Sequence, residues 1–127
     1  MRKHFNFCLL LASALLALNG CSGEGDQQRT LMRGILSWTA SAEMIAKARL
    51  RGDVPNGYSG LALSRCEEEV ATLVGQVTEG APALYQLPAK LKEAAAAVAS
   101  GNKQAAEQSV AALHQARSNI QRETAGS

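Results

Sequence analysis

The side chains in this sequence that could do chemistry are few and scattered. His114 is one of two histidines, the other being His4. A nucleophilic serine or cysteine needs a base beside it, so such a site in the body of the chain would have to use His114. Cys66 is the available thiol, but it falls in line with Leu63 and Val70 on an apolar stripe. That placement predicts a buried thiol acting as a small hydrophobe. A reactive role would need exposure and a lowered pKa, and the neighbouring Glu67, Glu68 and Glu69 oppose a thiolate. The same three acids form the densest carboxylate run. Consecutive helical residues point about 100° apart, so the three do not converge on one cation. They read as a solvated face near a helix start, where the dipole favours acids. No catalytic residue, metal ligand or cofactor-binding residue is assigned from these groups, and no cofactor and no enzymatic activity are expected.

The elements that would position such groups show helical periodicity in four places. Leu31, Ile35, Trp38, Ala42 and Ile45 share one face of a first helix. Thr30 or Asp26 can cap its start, and Arg49, Arg51 and Gly52 suit its end. Asp53 to Gly57 reads as a turn, with Ser59 capping a second helix whose stripe is Leu63, Cys66, Val70, Leu73 and Val77. A third stripe runs Leu84, Leu87, Leu91, Ala94 and Val98. Pro88 either kinks that helix or occupies its first turn after a separate short turn at 83–87. Ser100-Gly101-Asn102 closes it and caps a fourth helix with Ala106, Val110, Leu113 and Ile120 inward. His114 is expected at the edge of this last line. No segment alternates like a strand. The predicted fold class is all-α: a small up-and-down bundle, four helices being expected and three the competing count. Trp38 is expected to anchor its heavier end, with Tyr58 packed beside the first turn.

The beginning of the chain has a different character. Arg2, Lys3 and His4 precede an uncharged, mostly apolar stretch from Phe7 to Leu18. As a helix, those 12 residues span about 18 Å, too short for a hydrocarbon core of roughly 30 Å. The stretch reads as the hydrophobic region of a signal peptide. Leu18-Asn19-Gly20-Cys21 resembles the lipobox of bacterial lipoproteins: an aliphatic residue, a free position, a small residue, then cysteine. The resemblance implies a diacylglyceryl group on the Cys21 thiol, cleavage just before it, and attachment to a membrane through the acyl chains. Ser22 is similar to the residue that follows the cysteine in the outer-membrane-sorted class. The expected location is therefore the cell envelope, lipid-anchored, with the outer membrane favoured and the domain facing the periplasm.

Removing 1–20 leaves a chain with no excess charge, since Arg2 and Lys3 account for the formal +2. A balanced domain with 4% aromatic residues gives no reason to expect nucleic acid. Cys66 then remains as the lone thiol, with no internal partner for a disulfide. The expected organisation is a signal peptide over 1–20, a polar anchored linker over 21–28, the bundle over 29–123 and a disordered tail over 124–127.

Two further resemblances concern the body of the chain. Trp38 together with Val54-Pro55-Asn56-Gly57-Tyr58 is similar to a segment of small exported proteins of Gram-negative bacteria, which brings no activity with it. Length and helix order resemble the periplasmic b-type cytochrome bundles, which hold haem with a Met on the first helix and a His on the last. Met32 could take the first role. The family's histidine position corresponds to Gln121 here, and His114 comes two turns earlier. The expected function is a non-enzymatic envelope lipoprotein, a structural or protein-interaction module with another envelope protein as its partner. A small-ligand or haem-binding bundle is the alternative.

Overall fold

The computed structural model describes residues 24–125. Among them there are five helices and no strand. They are α1 (Glu24–Leu50), α2 (Asn56–Val74), the single turn α3 (Pro82–Tyr85), α4 (Leu87–Ala99) and α5 (Lys103–Ala125). The chain is an all-α helical bundle. The signal peptide over 1–20 and the lipidation site Cys21 lie outside the described residues.

By contacts the chain divides between Thr30 and Leu31. The described residues before that division are helical and mostly exposed. They are held locally by Thr30 Oγ1 donating to the Asp26 carbonyl at 2.9 Å and by Arg29 beside Asp26 at 3.7 Å. Within the expected linker over 21–28, residues 24–28 are helical. Gly-rich composition suggested a linker, yet Asp26 suits the first turn of a helix, where acids meet the positive pole. At the other end α5 continues through Ala125, two residues into the expected tail over 124–127.

From Leu31 onward the helices share one core. α2 packs on α4 and α4 on α5. α1 reaches α2 through Gly34, where an added Cβ would stand 3.0 Å from the Leu73 side chain. It reaches α5 through Glu43. Short connections make successive long helices run antiparallel. The buried side chains include Ile35, Leu84, Leu87, Leu91, Leu113 and Ile120, with Cys66 and Val70 from α2.

Caps and turns explain the boundaries. α1 ends in a Schellman arrangement: Gly52 N–H donates to the Arg49 carbonyl and Asp53 N–H to that of Ala48. Gly52 takes φ 80°, which only glycine adopts without strain. Arg49 Nη1 donates to the Val54 carbonyl at 3.1 Å and holds the turn against α1. α2 starts at Asn56 behind Pro55, so Asn56-Gly57 is helix and not turn, and Ser59 is buried within the helix. The Ser59 hydroxyl donates to the Asn56 carbonyl, which satisfies it there. Gly57 and Gly60 also stand in these first turns, where an added Cβ would meet nothing. Each glycine costs about 0.5–1 kcal/mol relative to alanine in a helix. Pro88 lies in the first turn of α4 after the separate turn α3, the second of the two arrangements its sequence position allowed. At the start of α5, Asn102 Oδ1 accepts from the Ala105 N–H at 3.1 Å.

The predicted stripe of α4 is buried throughout, and so is that of α5, joined by Ala116. In α2, Val74 is buried where Leu73 was expected, and Leu73 packs partly against the core. α1 differs more. Its buried face is Leu31, Ile35, Thr39, Ala42 and Ala46, with Glu43 beside it. Trp38 is only partly buried at the flank, so it is not the core anchor. Thr39 replaces it because its hydroxyl donates to the Ile35 carbonyl at 2.7 Å, leaving a methyl for the core. Tyr58, expected to pack beside the turn, is instead 58% exposed.

Candidate functional site

The one place where ionisable side chains meet across the described core is built on Glu43. Its side chain is 4% exposed, on the flank of α1 that faces α5. Burying an unpaired carboxylate would cost several kcal/mol, roughly, so its partners decide whether it can stay. Arg117 comes from the facing side of α5, one turn beyond Leu113. Its Nε donates to Glu43 Oε2 and its Nη2 to Oε1 at 3.4 Å, while Nη1 donates to Gln121 Oε1 at 3.3 Å. His114 Nδ1 lies 2.7 Å from Glu43 Oε1 and 3.2 Å from Arg117 Nη2. One ring nitrogen does not both donate to the carboxylate and accept from the guanidinium. The shorter contact decides, and the proton is assigned to Nδ1.

Both carboxylate oxygens are thus occupied, and the ring of His114 is oriented by a buried acid through Nδ1–H. Arg117 is 18% and His114 51% exposed, so the cluster runs from the dry interior outward. Among the described residues no buried side-chain oxygen or nitrogen lacks a partner. This is the chemistry of a clasp: charge neutralised in place, joining helices far apart in sequence. Beside it an open surface groove of about 450 Å³ is lined by Leu50, Val110 and Ala111 together with Lys47, Glu107 and His114.

Cys66 is a buried free thiol, and its burial is what its stripe predicted. Burial pushes its thiol above the ordinary value of 9.0, a backbone hydrogen bond offsetting part of the rise. The hydrogen-bond partner of His114 is Glu43, so the structure does not join it to Cys66. Glu67 to Glu69 lie mid-helix in α2 and not near its start. Arg65 pairs with Glu69 at 2.6 Å and approaches Glu68 at 4.0 Å, a surface ion-pair set on one helix. Met32 and His114 are likewise not together. Met32 is eleven positions before Glu43 on the same helix, about 16 Å along the axis, whereas His114 touches Glu43 itself.

Sequence reading missed Glu43 and Arg117. The available signal was an acid one residue from Ala42 on the apolar face of α1 and an arginine four from Leu113 on that of α5. Each has the ordinary look of a flanking charge, and nothing in either helix alone says they meet. The described residues contain no group of three or more His, Cys, Asp or Glu side chains arranged to hold a metal ion. No helix among them is long and apolar enough to cross a membrane. Comparison with protein families, with characterised proteins and with solved structures gave no match to this chain.

Proposed function

We propose that this chain is a lipid-anchored lipoprotein of the bacterial envelope whose helical bundle is a non-enzymatic structural or protein-interaction module. The observation that carries the reading is Leu18-Asn19-Gly20-Cys21 behind a basic start and a 12-residue uncharged stretch. Two or three acyl chains on Cys21 would anchor durably, since each buried CH₂ contributes about 0.8 kcal/mol. Helix α1 begins close behind: Glu24, its first residue, is three positions after Cys21. Such a short tether suits a module that works at the membrane surface, and Ser22 favours the outer membrane with the bundle in the periplasm. The polar cluster supports a non-catalytic role, because Glu43 has both oxygens committed to Arg117 and His114. Haem is not favoured by any contact, with Met32 and His114 at different levels of the bundle.

The test is the mass of the N-terminal peptide of the full chain recovered from bacterial membranes. A peptide beginning at Cys21 and carrying acyl mass supports the reading. A Cys21→Ser chain should lose that mass and leave the membrane fraction. An unmodified Cys21, or unchanged membrane recovery of Cys21→Ser, would overturn it.

A further inference from the structure

The groove beside the Glu43 clasp continues past Leu50. A second hollow, of about 170 Å³, shares Leu50 and is lined by Val98 and Ala106 together with Arg49 and Lys103. Along α5 the two follow one another from His114 back to Asn102, about 18 Å of trough with α1 on its other side. Of the charged side chains lining it, Lys47, Arg49 and Lys103 are cations and only Glu107 is an acid. Glu107 lies 4.0 Å from Lys103. Lys47 is the cation left without a counter-ion. Glu43 stands one turn before it, the spacing and order in which an acid pairs with a lysine on the same helix. Here that carboxylate is turned into the interior, its oxygens held by Arg117 and His114. No hydrogen bond or ion pair to Lys47 is found among the described residues. Arg49 gives Nη1 to the Val54 carbonyl and has further N–H groups to offer. The clasp thus leaves positive charge beside an apolar trough.

We propose that this trough binds a single-chain alkyl carboxylate, its chain along Leu50, Val110 and Ala111 and its head group at Lys47. What lines the trough asks for both halves of that ligand. The ammonium takes an anion, and a wholly apolar occupant would cover Lys47 without pairing it. The larger hollow, about 450 Å³, falls within the roughly 300–1,000 Å³ of small-molecule sites. A protein partner covers about 800 Å² on each side of a stable interface, more than a trough of this volume offers. Glu107 is drawn toward Lys103 and does not cancel the charge at Lys47. The proposal rests on this trough and not on the lipid anchor, so an unmodified Cys21 would leave it standing.

The test illuminates the full chain with a diazirine-bearing analogue of decanoate, beside neutral phosphatidylcholine vesicles, and maps the labelled peptides by mass spectrometry. Label should fall on residues 47–50 and 106–111. Decanoate should displace it about tenfold more readily than decanol or decyltrimethylammonium, the factor for one hydrogen bond to a charged group. Lys47→Gln should lower labelling by a similar factor, and Ala111→Phe, which fills the groove, should abolish it. Both residues are exposed, so the unfolding midpoints should match the parent. Label elsewhere, equal displacement by the three amphiphiles, or undiminished labelling of Lys47→Gln would each overturn the proposal. Displacement by oligoglutamate in preference to decanoate would assign the trough to an acidic protein and overturn it as well.

Discussion

Removing Arg117 should damage this protein more than removing the carboxylate it pairs with. Glu43 is 4% exposed, so without the guanidinium it stays buried with only His114, whose half-exposed ring leaves one oxygen unserved. Stranding a buried charge costs about 3–5 kcal/mol. The partial access of water through His114 puts Arg117→Met near the lower end, about 3 kcal/mol. Glu43→Met instead leaves Arg117, already 18% exposed and bonded to Gln121, free to turn toward solvent. Methionine fills much the same volume, so this change should cost about 1 kcal/mol. The double variant removes both charges and should come back to within about 1 kcal/mol of the parent, a strongly non-additive cycle. Denaturant unfolding of the four proteins, with equal slopes, measures each step. In thermal melts each kcal/mol is about 4–8 °C for a domain of this size. If Arg117→Met and Glu43→Met cost the same, or the double variant loses the sum of both, the carboxylate is not confined and the clasp is not as described.

Further outcomes follow from the same structure. Cys66 should react with a thiol reagent only as fast as the bundle opens, and quickly in denaturant. Because its folded pKa is raised above 9.0, the unfolded thiol ionises first; the stability difference between the parent and Cys66→Ala should therefore shrink as pH climbs past that value. At the α4–α5 turn, Gly101 at φ 76° and the Asn102 cap act together. Gly101→Ala and Asn102→Ala should each cost about 1 kcal/mol in unfolding experiments, and equal stability of either variant with the parent would refute its reading.

How much of this was legible depended on whether a residue's role was set within its own helix. Leu84, Leu87, Leu91, Ala94 and Val98 announce their face by spacing, and the structure buries all five. Asn102 and Gly52 announce helix ends by local backbone chemistry, and both act there. α1 was harder because its buried face is not its most apolar one. Thr39 enters the core by satisfying its own hydroxyl, and Glu43 enters by a bond to a helix more than seventy residues away. Trp38, the largest side chain on that helix, is displaced to the flank as a result. Asn56-Gly57 misled for a related reason: a dipeptide suited to turns here opens a helix behind Pro55.

The Glu43 clasp also bears on which of several similar bundles this chain adopts. Helices with alanine-rich faces, such as α4 and α5, slide past one another with little change in buried area. Ala42 and Ala46 on the buried face of α1 are small, so a one-turn slip of that helix, about 5.4 Å, would change its buried area little. Glu43 opposes the slip, which carries it away from Arg117 and leaves a charge in the interior. The same holds for the opposite winding of the four long helices, which would turn the Glu43 flank of α1 away from α5. A single acid thus discriminates among alternatives that hydrophobic burial alone leaves nearly degenerate, and it does so at the joint between the first and last helices, where no short turn fixes the alignment.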